Sequence, residues 1–240
     1  MPNLGIGRLE GLMAALELQP GEEPGRRGQI IRAAATVLGR AGYSDSSVKQ
    51  IAHEAGVAPG LVHYYFTSKE ELLVAVVHDL EREMVADWQS AVAGIEDPLG
   101  RIVAAVDHTA VRCSEHPEFF RLLFDLYVVG LNNPAIRERC VELWTHFVDD
   151  IEAEVRQVLG RLPGEATVPP RDLAEAIAGA IDGVALAGLL RESDPIDAYD
   201  ALKSMLLSLV VTAYVQAGEE PPVARMRALL DRPRESGAAR

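Results

Sequence analysis

Residues 46–71 of this 240-residue chain carry side chains whose types and spacing suit a contact with DNA. The stretch reads SSVKQIAHEAGVAPGLVHYYFTSKEE and gathers two lysines, two histidines, two tyrosines and several hydroxyl groups. Ammonium, phenol and hydroxyl groups bind phosphate oxygens, and phosphate contacts position a protein on a duplex. This segment is therefore the first candidate for a functional site.

Short helices joined by a tight turn are predicted to present these side chains. Ser47 and Gln50 have the spacing of a capping box, which satisfies free backbone donors at the start of a helix. Gly56 is suited to end that helix, because glycine adopts the left-handed conformation at low cost. Pro59 suits the first turn of the next helix, where its missing N–H costs nothing. The pattern is that of a helix-turn-helix, whose second helix enters the major groove.

The surrounding residues predict how this unit packs. Val62 and Phe66 of the second helix are expected to face the core. Ser68 and Glu71 form another capping-box pattern, which opens a third helix with Lys69 near its start.

The stretch from Gln29 to Val74 resembles the DNA-binding domain of the tetracycline-repressor (TetR) family of transcriptional regulators. The remaining three quarters of the chain resembles that family only in length and helical texture. The matching positions are Ile30–Ala33–Ala34–Leu38, Ala41-Gly42-Tyr43, Ser47-Val48-x-x-Ile51-Ala52, Ala55-Gly56-Val57, Gly60-Leu61-Val62 and Tyr64-Tyr65-Phe66-x-Ser68-Lys69-Glu70.

The resemblance implies that five residues reach the DNA backbone. Ser47 would cap its helix and bind a phosphate, and Lys49 would reach a phosphate or a base edge. Tyr64 and Tyr65 offer hydroxyl groups to phosphates, although Tyr65 could equally pack inside the domain. Lys69 corresponds to a lysine of the family that binds phosphate beside a helix N-terminus, where the helix dipole favours the same anion.

The resemblance also assigns the start of the recognition helix to base contacts. Gly60 would let the backbone approach DNA closely, and Pro59 and Leu61 offer apolar contacts suited to a thymine methyl group. His63 stands where many relatives have tyrosine. Its imidazole can donate to a phosphate or to a base. No Arg, Asn or Gln lies in this helix. Specificity is therefore expected to depend also on the basic N-terminal arm and on DNA shape.

The fold class predicted from the whole chain is all-α, with about nine helices. The hydrophobic content of 48% is enough for a sizeable core, and strictly alternating β patterns are absent. We expect a flexible arm at 1–25, a three-helix DNA-binding domain at 26–70, a larger helical domain at 71–218 and a mobile tail at 219–240.

Several classes of protein are disfavoured by the sequence. No apolar run is judged long enough to cross a bilayer, and the N-terminus does not resemble a secretory signal. Cys113 and Cys140 lie in separate helical patterns without a CxxC motif, so they are interpreted as buried apolar residues. No metal site and no cofactor are predicted, and a reducing cytoplasm fits the cysteine usage.

Charge is distributed unevenly along the chain. The net charge is −13, yet residues 26–69 hold six basic and two acidic side chains, a local charge of +4. Such an asymmetry concentrates phosphate attraction at one end of the protein and suppresses indiscriminate binding elsewhere.

Two apolar helices near the C-terminus, about 171–191 and 195–217, predict a homodimer. Two reading helices related by a twofold axis read a palindrome about one helical turn apart. Core packing within one subunit is the alternative. The faces considered for the bundle are Ala174, Ile177, Ala178, Ile181, Val184, Ala185 and Gly188 on the first helix, and Leu202, Met205, Leu206, Leu209, Val210 and Ala213 on the second.

The larger domain also contains aromatic and polar residues typical of a pocket for a small molecule. Apolar walls with a few polar groups are the usual lining of such pockets, although aromatic residues at helical spacing also form ordinary cores. If the resemblance holds, a ligand would move the fourth helix and separate the two reading heads. The residues in question are Trp88, His108, Arg112, Phe119, Phe120, Leu123, Phe124, Tyr127, Trp144, Phe147 and Asp182. The pocket candidates chosen from them are Trp88, His108, Arg112, Phe120, Phe124, Tyr127, Trp144 and Phe147.

Two rival functions remain open. A helical enzyme is one, but no HExxH, GxSxG or Walker motif is present, and His146, Asp149 and Asp150 are interpreted as a solvated helix edge. An interaction module that has lost DNA binding is the other, and the intact caps, Gly56, Lys49 and Lys69 argue against it. The prediction is a ligand-responsive, non-enzymatic regulator that binds double-stranded DNA, with repression favoured over activation.

Overall fold

The computed structural model describes residues 24–164 and 168–231, and all regular secondary structure in these ranges is helical. This confirms the all-α class. The predicted helices 1 to 9 are present, and a tenth follows them. The helices are α1 (Pro24–Asp45), α2 (Val48–Glu54), α3 (Pro59–Tyr65), α4 (Lys69–Val92), α5 (Pro98–Glu115), α6 (Pro117–Asn132), α7 (Pro134–Leu159), α8 (Pro170–Arg191), α9 (Ile196–Gln216) and α10 (Val223–Leu230).

Helices α1 to α3 form a small head around a shared apolar core. Ile30 from α1, Ile51 from α2, and Val62 and Phe66 at the end of α3 are almost fully buried there. The Gln29 side-chain amide donates to the backbone carbonyl of Ala55, the residue after α2, at 2.7 Å, and this bond fixes α2 against α1. The predicted inward positions of Val62 and Phe66 are confirmed.

Two glycines set the turns of the head. Gly42 has φ +76° and a non-helical ψ of 172°, so the regular part of α1 ends there as predicted. Gly56 has φ +62° and ends α2 in the left-handed conformation. The backbone therefore turns at both positions where the sequence places glycine.

The core of the head continues without interruption into the larger body. Leu72 and Val76 from the first turns of α4 pack in the same cluster as the head residues. Leu122 and Leu126 from α6, with Ile136 from α7, complete that cluster on the other side. Residue 70, where the sequence analysis divides the two domains, therefore lies beside a core shared by head and body.

The body contains α5 to α10 and has two further apolar clusters. A buried ion pair fixes α9 on α5: Lys203 is 2% exposed and its ammonium binds the Asp107 carboxylate. The same ammonium contacts Asp200 at 2.9 Å. Removing one partner of such a pair leaves an uncompensated buried charge, so the contact ties these helices in one register.

Helix α10 lies within 219–240, the range predicted as a mobile tail with a possible turn of helix near 223–230. Val223–Leu230 is helical, and Met226 is buried against Leu99, Val103 and Val210. The helix forms because an apolar residue of the tail finds a groove between α5 and α9. Residues 1–23 and 232–240, which hold most of the predicted arm and the end of the predicted tail, lie outside the described residues.

The predicted contact face of α8 is largely internal. Ala174, Ile177, Ala178, Ile181 and Ala185 are buried in the body core, where α8 packs on α7. The opposite face is the open one: Leu190 is 77% exposed, and Leu186 is also exposed. The face that the spacing of small residues singled out on α8 therefore packs within the subunit, which is the alternative that the sequence left open.

The predicted stripe of α9 is divided in the same way. Leu202 and Val210 are buried, whereas Met205 is 66% exposed and Leu209 is also exposed. The apolar outward faces of α8 and α9 thus differ in part from the faces chosen on the sequence.

Helices α8 and α9 also contradict the expectation that no apolar run is long enough for a bilayer. Both have the length and composition of a membrane span, with charged residues confined mostly to their ends. Length and composition are weak evidence, because core helices of soluble proteins have the same properties. Only 33% and 28% of the respective apolar windows are buried within the subunit.

The cysteines behave as predicted within the described residues. Cys113 lies in α5 and Cys140 in α7, and both are free and buried. Burial raises the pKa of each thiol to about 11, so neither is a reactive thiolate at neutral pH.

Candidate nucleic-acid interface and effector cavity

The start of α2 is held by the predicted capping box. The Gln50 backbone N–H donates to the Ser47 hydroxyl at 3.3 Å, and the Gln50 side-chain oxygen accepts from the Ser47 N–H at 2.8 Å. The Ser47 hydroxyl also donates to that oxygen at 2.7 Å. A phosphate contact by Ser47 remains a prediction, and it requires this hydroxyl proton to change its acceptor.

Helix α3 presents the predicted contact face to solvent. Pro59, Gly60 and His63 are exposed, and Leu61 is half-buried at the edge of that face. A methyl group built on Gly60 would meet no atom of the chain within 4 Å. Nothing in the described part of the protein therefore requires glycine at this position, and its close approach to DNA stays a prediction.

The two tyrosines at the end of α3 divide between surface and core. Tyr64 is 76% exposed, whereas Tyr65 is half-buried against the core of the head. Their rings meet edge to face with centroids 5.2 Å apart. The Tyr64 hydroxyl is the one that stands free for a partner, and Tyr65 supports its ring.

The head carries exposed basic side chains. Arg26, Arg27, Arg32 and Lys49 are exposed, so the positive charge counted in the sequence lies on the outside of the head. The Arg27 guanidinium stands 5.2 Å from the centroid of the Phe66 ring at the end of α3. Exposed cations beside an exposed helix are the arrangement that attracts a phosphate backbone.

Lys69 has an internal role that the sequence does not show. Its ammonium donates to the backbone carbonyls of Tyr43 at 2.5 Å and Ser46 at 2.8 Å, and it lies 4.0 Å from the centroid of the Tyr43 ring. Burial lowers its pKa, while the nearby Glu70 and Asp125 carboxylates oppose that effect. Lys69 thereby stabilises the turn between α1 and α2, and its phosphate contact stays a prediction.

A second functional candidate is a cavity in the body with a volume of about 80 Å³. Helices α4 to α8 all contribute to its wall. Five of the eight residues proposed for a pocket line it: Trp88, His108, Arg112, Phe120 and Phe147.

The other three proposed pocket residues lie in a separate groove. Phe124, Tyr127 and Trp144 line a shallower apolar groove between α6, α7 and α8. Successive ring contacts, with centroid separations from 5.3 to 6.5 Å, join the aromatic residues of the cavity and the groove. In order, the rings are those of Phe119, Phe120, Phe124, Tyr127, Trp144 and Phe147. Asp182 borders both spaces. The aromatic side chains therefore form one wall between the cavity and the groove.

Two carboxylates in the cavity wall, those of Asp182 and Asp150, are half-buried and form no ion pair with a Lys or Arg among the described residues. Burial raises the pKa of Asp182 to about 7. Burial also raises the pKa of Asp150 to about 6, with His146 acting in the opposite direction. Desolvation penalises the ionised form of each group, and a cation entering the cavity would relieve that penalty.

The remaining charges of the cavity are already paired. The Arg112 guanidinium binds Glu83 at 2.5 Å and also contacts Asp87, and it lies 3.7 Å from the centroid of the Phe119 ring. Glu81 pairs with His146. These contacts join α4 to α5, α6 and α7, so α4 is held by ion pairs along the cavity.

Of the acidic residues in this wall, the sequence singled out only Asp182. Asp150 was interpreted as part of a solvated helix edge, but it is half-buried and lines the cavity, whereas Asp149 is exposed as expected. Glu81 and Asp87 were also not singled out. Acidic residues on amphipathic helices usually face solvent, and only the packing of α4 against α7 brings these side chains inside.

The exposed recognition face, its basic surroundings and the helical body with a cavity define a helix-turn-helix DNA-binding regulator. Two family models agree with this division. The model described as "Bacterial regulatory proteins, tetR family" matches residues 30–76. The model described as "BetI-type transcriptional repressor, C-terminal" matches residues 98–211.

Relatives extend the match along the chain. The "HTH-type transcriptional regulator BetI" of Brucella melitensis biotype 2 is 32% identical over 189 residues, which cover 78% of this chain and 89% of the relative. The protein of the same name from Brucella anthropi is 44% identical over 86 residues, which cover 36% of this chain and 44% of that relative. The chain therefore belongs to the TetR family of transcriptional regulators.

Solved structures share the fold. A TetR-family regulator from Rhodococcus sp. superposes with a TM-score of 0.65 at 22% identity, covering 75% of this chain and 96% of that one. A transcriptional regulator from Saccharomonospora viridis in complex with choline superposes with a TM-score of 0.67 at 19% identity, covering 76% and 95% of the two chains. Homologues in this family are regulators rather than enzymes.

Gly60→Ala tests whether α3 approaches a ligand closely. Because alanine favours a helix and meets no neighbour at this position, we expect the free energy of unfolding to rise by roughly 0.5–1 kcal/mol. We expect affinity for operator DNA to fall at the same time by roughly tenfold, since the added methyl group would separate the helix from the base edges. Thermal unfolding and fluorescence anisotropy with labelled DNA measure the two effects.

Ser114→Ala is the matched control, an exposed helical position in α5, outside the head. It should gain a similar, small stability without changing DNA affinity. Unchanged affinity in Gly60→Ala would contradict the assignment of α3 as the reading helix.

Proposed function

We propose that this protein is a repressor that binds a palindromic operator as a homodimer and leaves it when a small organic cation enters the cavity. The observation that carries the proposal is the combination of two sites in one chain. An exposed, internally supported recognition helix stands on a body whose aromatic cavity contains the half-buried carboxylates of Asp182 and Asp150, which pair with no Lys or Arg among the described residues. A cytoplasmic location accords with both sites.

The head supplies the operator contacts. Pro59, Gly60, Leu61 and His63 face the major groove at the start and middle of α3. A second group, which positions the head on the phosphates, consists of Ser47, Lys49, Tyr64, Tyr65 and Lys69. Because few of these groups read base edges directly, the operator sequence is selected partly through DNA shape.

The outward faces of α8 and α9 supply the dimer contact. On α8, the positions Gly179, Gly183, Leu186 and Leu190 follow helical spacing and are exposed, and a methyl group built on either glycine would meet nothing within 4 Å. Small residues on an apolar surface allow a second helix to approach closely. Contact with the same faces of a second copy would bury the apolar surface that one subunit leaves open.

The cavity supplies the effector site. Aromatic faces attract cations, and Trp88, Phe120 and Phe147 provide such rings beside the Asp182 and Asp150 carboxylates. His108, whose pKa burial lowers, is neutral at pH 7 and does not repel a cation. The choline complex of the structurally similar regulator from Saccharomonospora viridis supports a quaternary ammonium compound as the ligand class.

Helix α4 connects the cavity with the DNA-binding head and therefore couples the two sites. A ligand relieves repression only through its preference for the conformation that does not bind DNA, and a coupling free energy of roughly 1–3 kcal/mol gives a change of about 5–150-fold. An arriving cation competes with Arg112 for Asp87, a residue of α4. Weakening that ion pair frees α4, which carries the head at its other end.

Met205→Glu tests the dimer face. Met205 is 66% exposed in the single subunit, so glutamate is tolerated there, but it would place two like charges at the proposed interface. We expect the wild-type protein to sediment at twice the chain mass of 26.0 kDa and the variant to sediment as a monomer with weaker operator binding.

Val223→Glu is the control for that variant, because Val223 is exposed on α10, outside the proposed interface. It should remain dimeric. A dimeric Met205→Glu variant with wild-type operator affinity would show that α9 does not form the interface.

Choline tests the effector class, with 3,3-dimethylbutan-1-ol as a neutral molecule of the same shape. We expect choline, and not the alcohol, to release labelled operator from the wild-type protein, whereas Asp182→Asn should respond to neither. Asp182 and Asp150 are protonated at low pH, so choline affinity should rise as the pH increases through about 6 to 7. Equal release by choline and the alcohol, or release independent of pH, would contradict a cation site.

A further inference from the structure

Helix α6 lies between the cavity and the reading head and contacts both. One side of α6 carries Phe120 and Leu123, which line the cavity. Another side lies against the end of α1, where a methyl group on Gly39 would come within 3.1 Å of the Glu118 backbone oxygen. Any shift of α6 caused by the cavity would therefore reach the end of α1 directly.

The contact between α6 and the head contains one charge-assisted hydrogen bond. The Asp125 carboxylate accepts from the Tyr43 backbone N–H at 2.6 Å, across a sequence separation of 82 residues. That N–H is available because the non-helical backbone of Gly42 interrupts the hydrogen-bond ladder of α1. A side chain on Gly42 would also approach the same carboxylate, at 3.7 Å.

The peptide groups around Tyr43 are held from two directions. Asp125 of α6 accepts from the N–H, and Lys69 at the start of α4 donates to the carbonyl of the same residue. The Tyr43 hydroxyl donates to Glu70, also in α4, at 3.4 Å. The end of α1, and with it the turn that leads to α2 and α3, is thereby fixed to both helices that connect the head with the cavity.

We propose that Asp125 is a positioning residue for operator binding: its carboxylate, bound to the Tyr43 N–H, holds the reading head on α6 in the orientation that fits DNA. This assignment rests on the proposed function, because it concerns the same DNA contact. It is distinct from a direct contact, since Asp125 carries a negative charge and would repel phosphate.

The sign of the effect separates positioning from simple electrostatics. Removing a carboxylate from a DNA-binding protein ordinarily strengthens DNA binding, because one source of repulsion from the phosphates is lost. Loss of the hydrogen bond weakens DNA binding, because a head that moves relative to α6 must be ordered when DNA binds. Hydrogen bonds to charged groups are strong enough for this second effect to dominate.

The test compares Asp125→Ala, Asp125→Asn and the charge-matched control Glu115→Gln, an exposed residue of α5. Operator affinity is measured by fluorescence anisotropy at physiological salt. We expect Asp125→Ala to bind roughly tenfold more weakly than wild type and Asp125→Asn, whose amide oxygen can still accept, to fall between them. Glu115→Gln should bind as well as wild type or slightly better.

Amide hydrogen exchange provides a readout that does not depend on DNA binding. Exchange in residues 43–47 should accelerate in Asp125→Ala but not in Glu115→Gln, while exchange in the core of α7 stays unchanged and excludes global unfolding. Absence of operator binding by the wild-type protein would count against the proposed function, and the exchange data would then decide the positioning role alone. Wild-type exchange at 43–47 in Asp125→Ala, or tighter operator binding by that variant, would overturn the proposal.

Discussion

Helix α4 belongs both to the core of the head and to the wall of the cavity, and the rest of the structure depends on that constraint. Its first turns place Leu72 and Val76 in the core that the head shares, so this end cannot move without the head. Its later turns place Asp87 and Trp88 in the cavity wall. A helix that is rigid over 24 residues transmits a displacement from one end to the other, which is the physical basis for a ligand-controlled DNA-binding protein.

The distribution of charge also distinguishes the head from the body. The exposed basic residues of α1 and α2 suit a phosphate backbone, while the acidic body limits nonspecific contacts. Inside the body, Asp182 and Asp150 lie where desolvation raises the pKa of their carboxyl groups and so disfavours the ionised form. Folding stability is lowered by such groups as the pH rises above their ordinary pKa values, because the folded state binds protons more tightly than the unfolded state. A cationic ligand offsets that cost, which gives these residues a functional reason to be present.

Features governed by local chemistry could be predicted from the sequence, whereas features governed by packing could not. The cap at Ser47 and the turns at Gly42 and Gly56 depend on neighbouring backbone groups, so their sequence signals were sufficient. The capping box predicted at Ser68 formed only in part, because the Glu71 carboxylate accepts from the Thr67 N–H. The spacing of small residues marked the buried face of α8, but the sequence could not show whether that face packs within one subunit or between two.

The charged and aromatic sites show the same limit. Lys69 was predicted as a phosphate ligand, and its bonds to the Tyr43 and Ser46 carbonyls depend on the distant end of α1. Aromatic residues were found by type, yet their division between the cavity and the groove depends on the rotation of α6 and α7. The burial of Asp150 likewise required the neighbouring helices.

Selection of binding sites from random duplex DNA, followed by the mass of the resulting complex, tests the central claim most directly. The account predicts an enriched palindrome with half-sites about one helical turn apart, bound by two chains and far more tightly than a scrambled duplex of equal length. Absence of enrichment, or an enriched single half-site bound by one chain, would contradict it.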